Sequence, residues 1–221
     1  MHHTVIAFEL GYVFNIAGIL ILIQQIRSKR HIEGISFYTQ LLNAIAVVSR
    51  LLYFPNTVLI DYWMCWFEFV ASVVLTGYLM YLMRLHKRIS FNKEANFWDY
   101  RIIIVVAFLL GIFSNWEEKH PFEWSQFALR FSIVLEAMAL LPQLRLMRLE
   151  KFVTRNFGFY LIAITLSRVA RVFFWVYQIA DNYGRESYYT LILADCMYIL
   201  LTIDFTYSFL KHRNSSLIPY S

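Results

Sequence analysis

Apolar residues run through this chain in long blocks, and polar residues collect in the gaps between them. Seven windows are mostly apolar, at about 5–26, 35–54, 58–83, 101–116, 121–144, 156–180 and 187–210. A helix needs about 20 such residues to cross the hydrocarbon layer of a bilayer. The intervening segments are too short to hold a domain. Strict alternation of apolar and polar positions, the mark of a barrel strand, is absent. The pattern predicts an all-α membrane protein with seven transmembrane helices, a single transmembrane domain over 1–221, and a tail at 211–221.

Composition sharpens this reading. The chain is 59% hydrophobic and 19% aromatic, with a mean hydropathy of +0.52, whereas soluble domains run near 45–50% apolar. Its many tyrosines and tryptophans suit interface belts and packing. No Lys or Arg precedes the first window, so it reads as a retained helix rather than a cleaved leader. Cys65 and Cys196 both fall inside windows, and no disulfide framework is implied.

Basic residues orient the spans. The gaps at 27–33, 84–101 and 145–155, together with the tail, hold fourteen of the twenty Lys and Arg residues. The alternate gaps hold two, Lys119 and Arg185. The bias is consistent along the whole chain. It places the C-terminus in the cytosol and the N-terminus in the lumen or outside the cell.

Four arginines lie inside the windows: Arg50, Arg130, Arg168 and Arg171. A charge at helix centre costs about 2.5–3.5 kcal/mol on insertion scales. Glu9, Glu68, Glu136, Asp195 and Asp204 lie in or near the spans, so pairing is available on count alone. At helical spacing Arg168, Arg171, Trp175 and Gln178 share one face, and Glu123, Gln126 and Arg130 share another. All four arginines fall in the middle or luminal part of the membrane, where none can snorkel to cytosolic headgroups. Two readings follow. One is a cavity open to the lumen with a basic floor, whose ligand is an anion held by bidentate guanidinium forks. The other is a set of Arg–acid pairs that locks the bundle.

The sequence also echoes itself. "VVSRLLYF" (47–54) and "TLSRVARVFF" (165–174) place a Ser–Arg pair at matching points of the second and sixth helices. Helices 1–3 and 5–7 then form parallel repeats in a 3+1+3 order, as in transporters of the SWEET and PQ-loop type.

At this point the residues resemble a known family. "FSI" (131–133) followed by "LEAMALLPQL" (135–144) is similar to the fifth helix of the KDEL receptors, the ER-lumen-protein-retaining receptors. "EGISFYTQ" (33–40) resembles the start of their second helix, Arg50 follows at their spacing, and "IDF" (203–205) resembles part of their seventh. The tail "LKHRNSSLIPYS" is similar in length and character. The resemblance covers nearly the whole chain. It implies a receptor that binds the C-terminal KDEL- or HDEL-like tetrapeptide of escaped ER-lumen proteins at acidic pH in the Golgi and releases it in the ER.

Position by position, the resemblance gives Arg50 the terminal carboxylate and makes Arg168 and Glu136 a coupled pair deeper in the bundle. Gln40 and Trp175 also match. The chain departs from the pattern elsewhere. The family's helix 1 histidine falls at Asn15 and its helix 1 arginine at Phe8. Leu51, Tyr53, Gln126, Leu129, Ser167, Arg171 and Gln178 replace further family residues. Arg130, Arg171 and Glu123 re-supply charge nearby. With Asn15 in place, His120 at the luminal mouth of helix 5, or Glu136 or Glu123, becomes the candidate proton sensor. Lys211, His212 and Arg213 resemble the family's coat-recruiting tail.

The expected partners are C-terminal peptides of soluble ER residents, vesicle coat machinery at the tail, and membrane lipid, with no nucleic acid. The expected location is the ER and Golgi membranes. No nucleophile–base pair, metal-ligand spacing or phosphate loop appears, so neither an enzyme nor a bound cofactor is expected. The competing function is a small-solute transporter of the SWEET or PQ-loop type. Four buried arginines argue against a sugar path.

Overall fold

A computed structural model describes residues 2–29, 34–52, 63–86, 99–115, 123–150, 152–180, 189–211 and 217–219; within these, some side chains, including those of Gln178, Asp204 and Lys211, lie outside the description. The helices are α1 (His2–Lys29), α2 (Phe37–Ser49), α3 (Trp63–Leu85), α4 (Asp99–Asn115), α5 (Trp124–Met138), α6 (Leu140–Glu150), α7 (Arg155–Ala180) and α8 (Tyr189–Lys211). Four stretches are long and apolar enough to cross a membrane: Glu9–Ser28, Trp66–Leu85, Trp124–Met147 and Arg155–Tyr177. Phe37–Leu52, Tyr100–Ser114 and Leu191–Ile203 are shorter apolar helices. The chain is therefore a helical membrane protein.

Local chemistry explains several boundaries. Gly34 takes φ 77°, a left-handed turn that favours glycine. Ser36 then caps α2, its Oγ accepting from the Thr39 N–H at 3.2 Å. At its far end α2 tightens into one 3-10 turn, Arg50–Leu52. Pro142 marks a local turn within the fifth span, which runs through Trp124–Met147. Its ring has no N–H and crowds the carbonyl four residues back, so α5 stops at Met138 and Ala139 makes a turn. Pro142 then lies in the first turn of α6, where a missing donor costs little.

Gln143, next to that proline, clamps the start of α2. Its Nε2 donates to the Gly34 carbonyl and its Oε1 accepts from the Ser36 N–H, both at 2.7 Å. One amide thus satisfies two buried backbone groups of the connection into α2. In the C-terminal segment, Leu217–Pro219 pairs antiparallel with Phe152–Thr154, and this short ladder is the strand structure among the described residues.

The helices pack in a regular order. In the first half α3 touches both α1 and α2; in the second half α8 touches both α5 and α7. Across the halves α1 lies along α7 and α2 against α5, while α4 packs on α5. Exchanging α1, α2 and α3 for α5, α7 and α8 maps each of these first-half and cross-half contacts onto another.

Polarity runs inside out relative to a soluble protein. Val74, Phe113, Tyr207 and Leu200 are exposed, whereas Arg50, Glu68, Arg130, Glu136, Arg168, Arg171 and Asp195 are buried. A bilayer tolerates that arrangement and water does not.

The long α1–α7 contact depends on small residues. A Cβ at Gly18 would lie 2.9 Å from Ile164 Cδ1 and 3.1 Å from its Cγ1, while a Cβ at Gly77 would meet nothing within 4 Å. Gly18→Val is expected to destabilise the protein by about 1–3 kcal/mol through overpacking. Gly77→Ala is expected to be neutral or slightly stabilising, since alanine favours helix. Thermal unfolding of the two variants in detergent checks the contrast.

Candidate functional site

The arginines singled out by the sequence converge. Arg168 and Arg171 lie one turn apart on α7. Arg50 comes in on the 3-10 turn that ends α2. Glu136 on α5 lies among all three. It accepts from Arg50 Nη2 at 2.6 Å through Oε1, and from Arg168 Nη1 at 2.6 Å and Arg171 Nη1 at 3.1 Å through Oε2. Asp195 on α8 accepts from Arg168 Nη1 at 3.2 Å and from Arg171 Nη2. Glu68 on α3 accepts from Arg50 Nη1 at 3.4 Å and from Ser72 Oγ at 2.8 Å. The guanidinium of Arg168 also lies over the Tyr198 ring, 4.7 Å from its centroid.

The result is a cluster of Arg50, Arg168 and Arg171 with Glu68, Glu136 and Asp195, joining α2, α3, α5, α7 and α8. Its formal charges cancel. Every member is buried. Helix α1 covers it, for a Cβ at Gly11 would lie 3.5 Å from Arg171 Cγ. The pairing has an internal order. Arg50, at the end of α2, meets Glu68 on α3, and Arg168 on α7 meets Asp195 on α8.

The remaining candidates divide. Trp175 is buried in an apolar cluster with Phe69, Ile133, Phe174 and Leu191, its indole beside the Asp195 carboxylate. Ser167 and Arg130 are buried, and Asn15 and Gln126 are half-buried. Glu123 is exposed at the N-cap of α5, where it accepts from Ser125 Oγ at 2.7 Å. The Gln178 and Lys211 side chains and the residues His120, His212 and Arg213 lie outside the described residues. Sequence reasoning counted Glu68 and Asp195 as available acids but did not place them at the site. Their signal was an acid inside an apolar window. Ser72, Tyr198 and Gln143 carried no such signal.

The arginines expected to face a ligand carboxylate therefore hold the chain's own carboxylates, and Arg171 is part of that balance. Arg171 Nε has no hydrogen-bond partner among the described residues, so one donor is spare.

A polytopic helical bundle with charges balanced at its centre is the class that fold and site define. Residues 31–178 match the family described as ER lumen protein retaining receptor. The chain belongs to that family, one of retention receptors rather than enzymes. It is similar to the ER lumen protein-retaining receptor of Saccharomyces cerevisiae, with 28% identity over 206 residues, 90% of each chain. It is also similar to the ER lumen protein-retaining receptor erd-2.2 of Caenorhabditis elegans, with 30% identity over 198 residues, 87% of each chain. The receptor of Kluyveromyces lactis is 26% identical over 198 residues, covering 85% of this chain and 86% of that one.

Removing one partner from a buried ion pair leaves an uncompensated charge and costs about 3–5 kcal/mol. Arg171→Leu is expected to lose stability on that scale, and adding Asp195→Asn is expected to recover more than half of the loss. A double-mutant cycle read by thermal unfolding measures the coupling. Additive losses would place Arg171 outside the balance.

Proposed function

We propose that this chain is a Golgi-to-ER retrieval receptor for the C-terminal KDEL- or HDEL-like tetrapeptide of escaped ER-lumen proteins, with binding favoured by acid. Family membership supports the receptor class. The observation that carries the mechanism is the charge balance around Glu136: three guanidinium groups converge on it and also hold Glu68 and Asp195. A peptide's terminal carboxylate is chemically equivalent to the groups already held. It enters by exchange, taking guanidinium donors from Glu136 or Asp195 and using the spare Arg171 Nε.

Exchange accounts for pH dependence without a histidine at Asn15. One more carboxylate makes a neutral buried cluster net negative, which an apolar interior disfavours. Uptake of one proton restores neutrality. Acid pH supplies that proton, and neutral pH withdraws it and expels the ligand. Arg130, Gln126, Glu123, Trp175 and Gln178 lie luminal to the cluster in the proposed orientation, where they would read the rest of the peptide. Asn15, Ser167 and His120 would complete the switch region.

The architecture proposed with this function is seven spans in two parallel three-helix repeats joined by α4, with the N-terminus luminal and the C-terminus cytosolic. The exchange symmetry of the helix contacts and the matched Arg50–Glu68 and Arg168–Asp195 pairs support it. Residues 211–221 form the cytosolic tail, where Lys211, His212 and Arg213 would engage vesicle coats. The ER and Golgi membranes are the corresponding location.

The test is equilibrium binding of labelled peptides ending in KDEL, HDEL, a scrambled sequence or an amidated terminus, at pH about 5.5 and about 7.2. Expected is binding of the free-carboxylate signals at the lower pH, weaker by at least about tenfold at the higher pH and on amidation. Equal affinity for the amidated peptide would remove the carboxylate from the mechanism.

A further inference from the structure

Away from the charged cluster, α1 and α7 leave a groove on the outer face of the bundle. It has a volume of about 350 Å³ and is lined by Phe14, Ile21, Phe159, Ile162, Ala163 and Leu166, with the amides of Gln24 and Asn156 at one end. The two helices run antiparallel, so those amides lie level with each other. From that end to Phe14 on α1, or to Leu166 on α7, is ten residues, or about 15 Å of helix rise. That is half of the roughly 30 Å hydrocarbon layer, the depth of one leaflet.

The amide end is also the basic end. Arg27 lies one turn beyond Gln24 on α1 and is exposed. Arg155 precedes Asn156 on α7, is exposed, and holds its guanidinium over the Phe159 ring, 5.6 Å from the centroid. Phe159 is itself a wall of the groove. The Arg155 guanidinium over the groove wall, the amides of Gln24 and Asn156, and an exposed Arg27 one turn beyond Gln24 put positive charge and hydrogen-bond donors at this end, the chemistry that takes a phosphate. The apolar channel leads away from it to the depth of one acyl chain.

We propose that this groove binds one anionic phospholipid from the leaflet that faces the basic loops, its acyl chain along Ile21, Ile162 and Leu166 and its headgroup between Arg27 and Arg155. Annular lipid of any kind wets an apolar surface. Two exposed arginines at its amide end make this position select for negative charge. The site is independent of the proposed retrieval function, because none of its residues belongs to the charged cluster.

Native mass spectrometry of the full chain, purified in mixed micelles of equal phosphatidylserine and phosphatidylcholine, tests it. Expected is retention of one phosphatidylserine in preference to phosphatidylcholine by at least about fivefold. The double variant Arg27→Gln with Arg155→Gln is expected to fall to about equal retention, and Arg155→Lys to keep the preference. Ile162→Trp, which fills the channel, is expected to lower retention of both lipids. Arg84→Gln, at an exposed basic site away from the groove, is expected to change nothing. Equal retention of both lipids by the unmodified chain, or a preference that survives the double variant, would overturn the proposal. The unmodified chain alone can overturn it, so a poorly folding variant cannot obscure the result.

Discussion

The constraint that organises this molecule is that the three guanidinium groups buried together at its centre are met by carboxylates. Arg50, Arg168 and Arg171 are buried together. They are met by Glu68, Glu136 and Asp195, which must come from three other helices. The bundle is therefore tied at its centre by charge as well as by packing. In lipid, apolar faces gain little by leaving their surroundings, so packing and polar contacts carry the association of helices. A balanced cluster spanning five helices contributes specificity that an apolar seam does not, because shifting one helix by a turn would leave a charge unmatched.

Other features serve that geometry. The 3-10 turn after α2 delivers Arg50, and α5 presents Glu136 just before the local turn at Ala139. Gln143 fixes the entry into α2 from the opposite end. Glycines at 11 and 18 let α1 lie close on α7 and close the cluster from one side. The Thr165–Thr202 hydrogen bond, at 3.1 Å, ties α7 to α8 below the arginines.

Much of this was legible in the sequence, and the limits have physical causes. Hydropathy marks helices because backbone satisfaction in lipid leaves few alternatives, and buried arginines are conspicuous for their cost. Their partners were harder to assign. Glu68 and Asp195 were visible as acids in apolar windows, yet which arginine each one meets depends on helix rotation and neighbour order. Neither property is written in periodicity when the windows are apolar all round. Pro142 stood in plain view inside the window at 121–144, but where the turn before it falls, at Ala139, is set by local geometry rather than by hydropathy. The strand pairing of Leu217–Pro219 with Phe152–Thr154 depends on two remote three-residue segments with no local signal. Arg171 read as added positive charge for a ligand, and its meeting with Asp195 emerges only once α7 and α8 are packed.

A balanced cluster can be a pure lock or an exchange site, and the two differ in proton stoichiometry. A lock has no reason to take up a proton with a ligand, whereas a neutral cluster that admits a carboxylate does. The measurement is isothermal titration of a KDEL-ending peptide into the full chain near pH 6, repeated in buffers of different ionisation enthalpy. The expected result is uptake of about one proton per peptide bound. Binding without proton uptake would contradict the exchange account and leave the arginine–acid cluster as a structural lock.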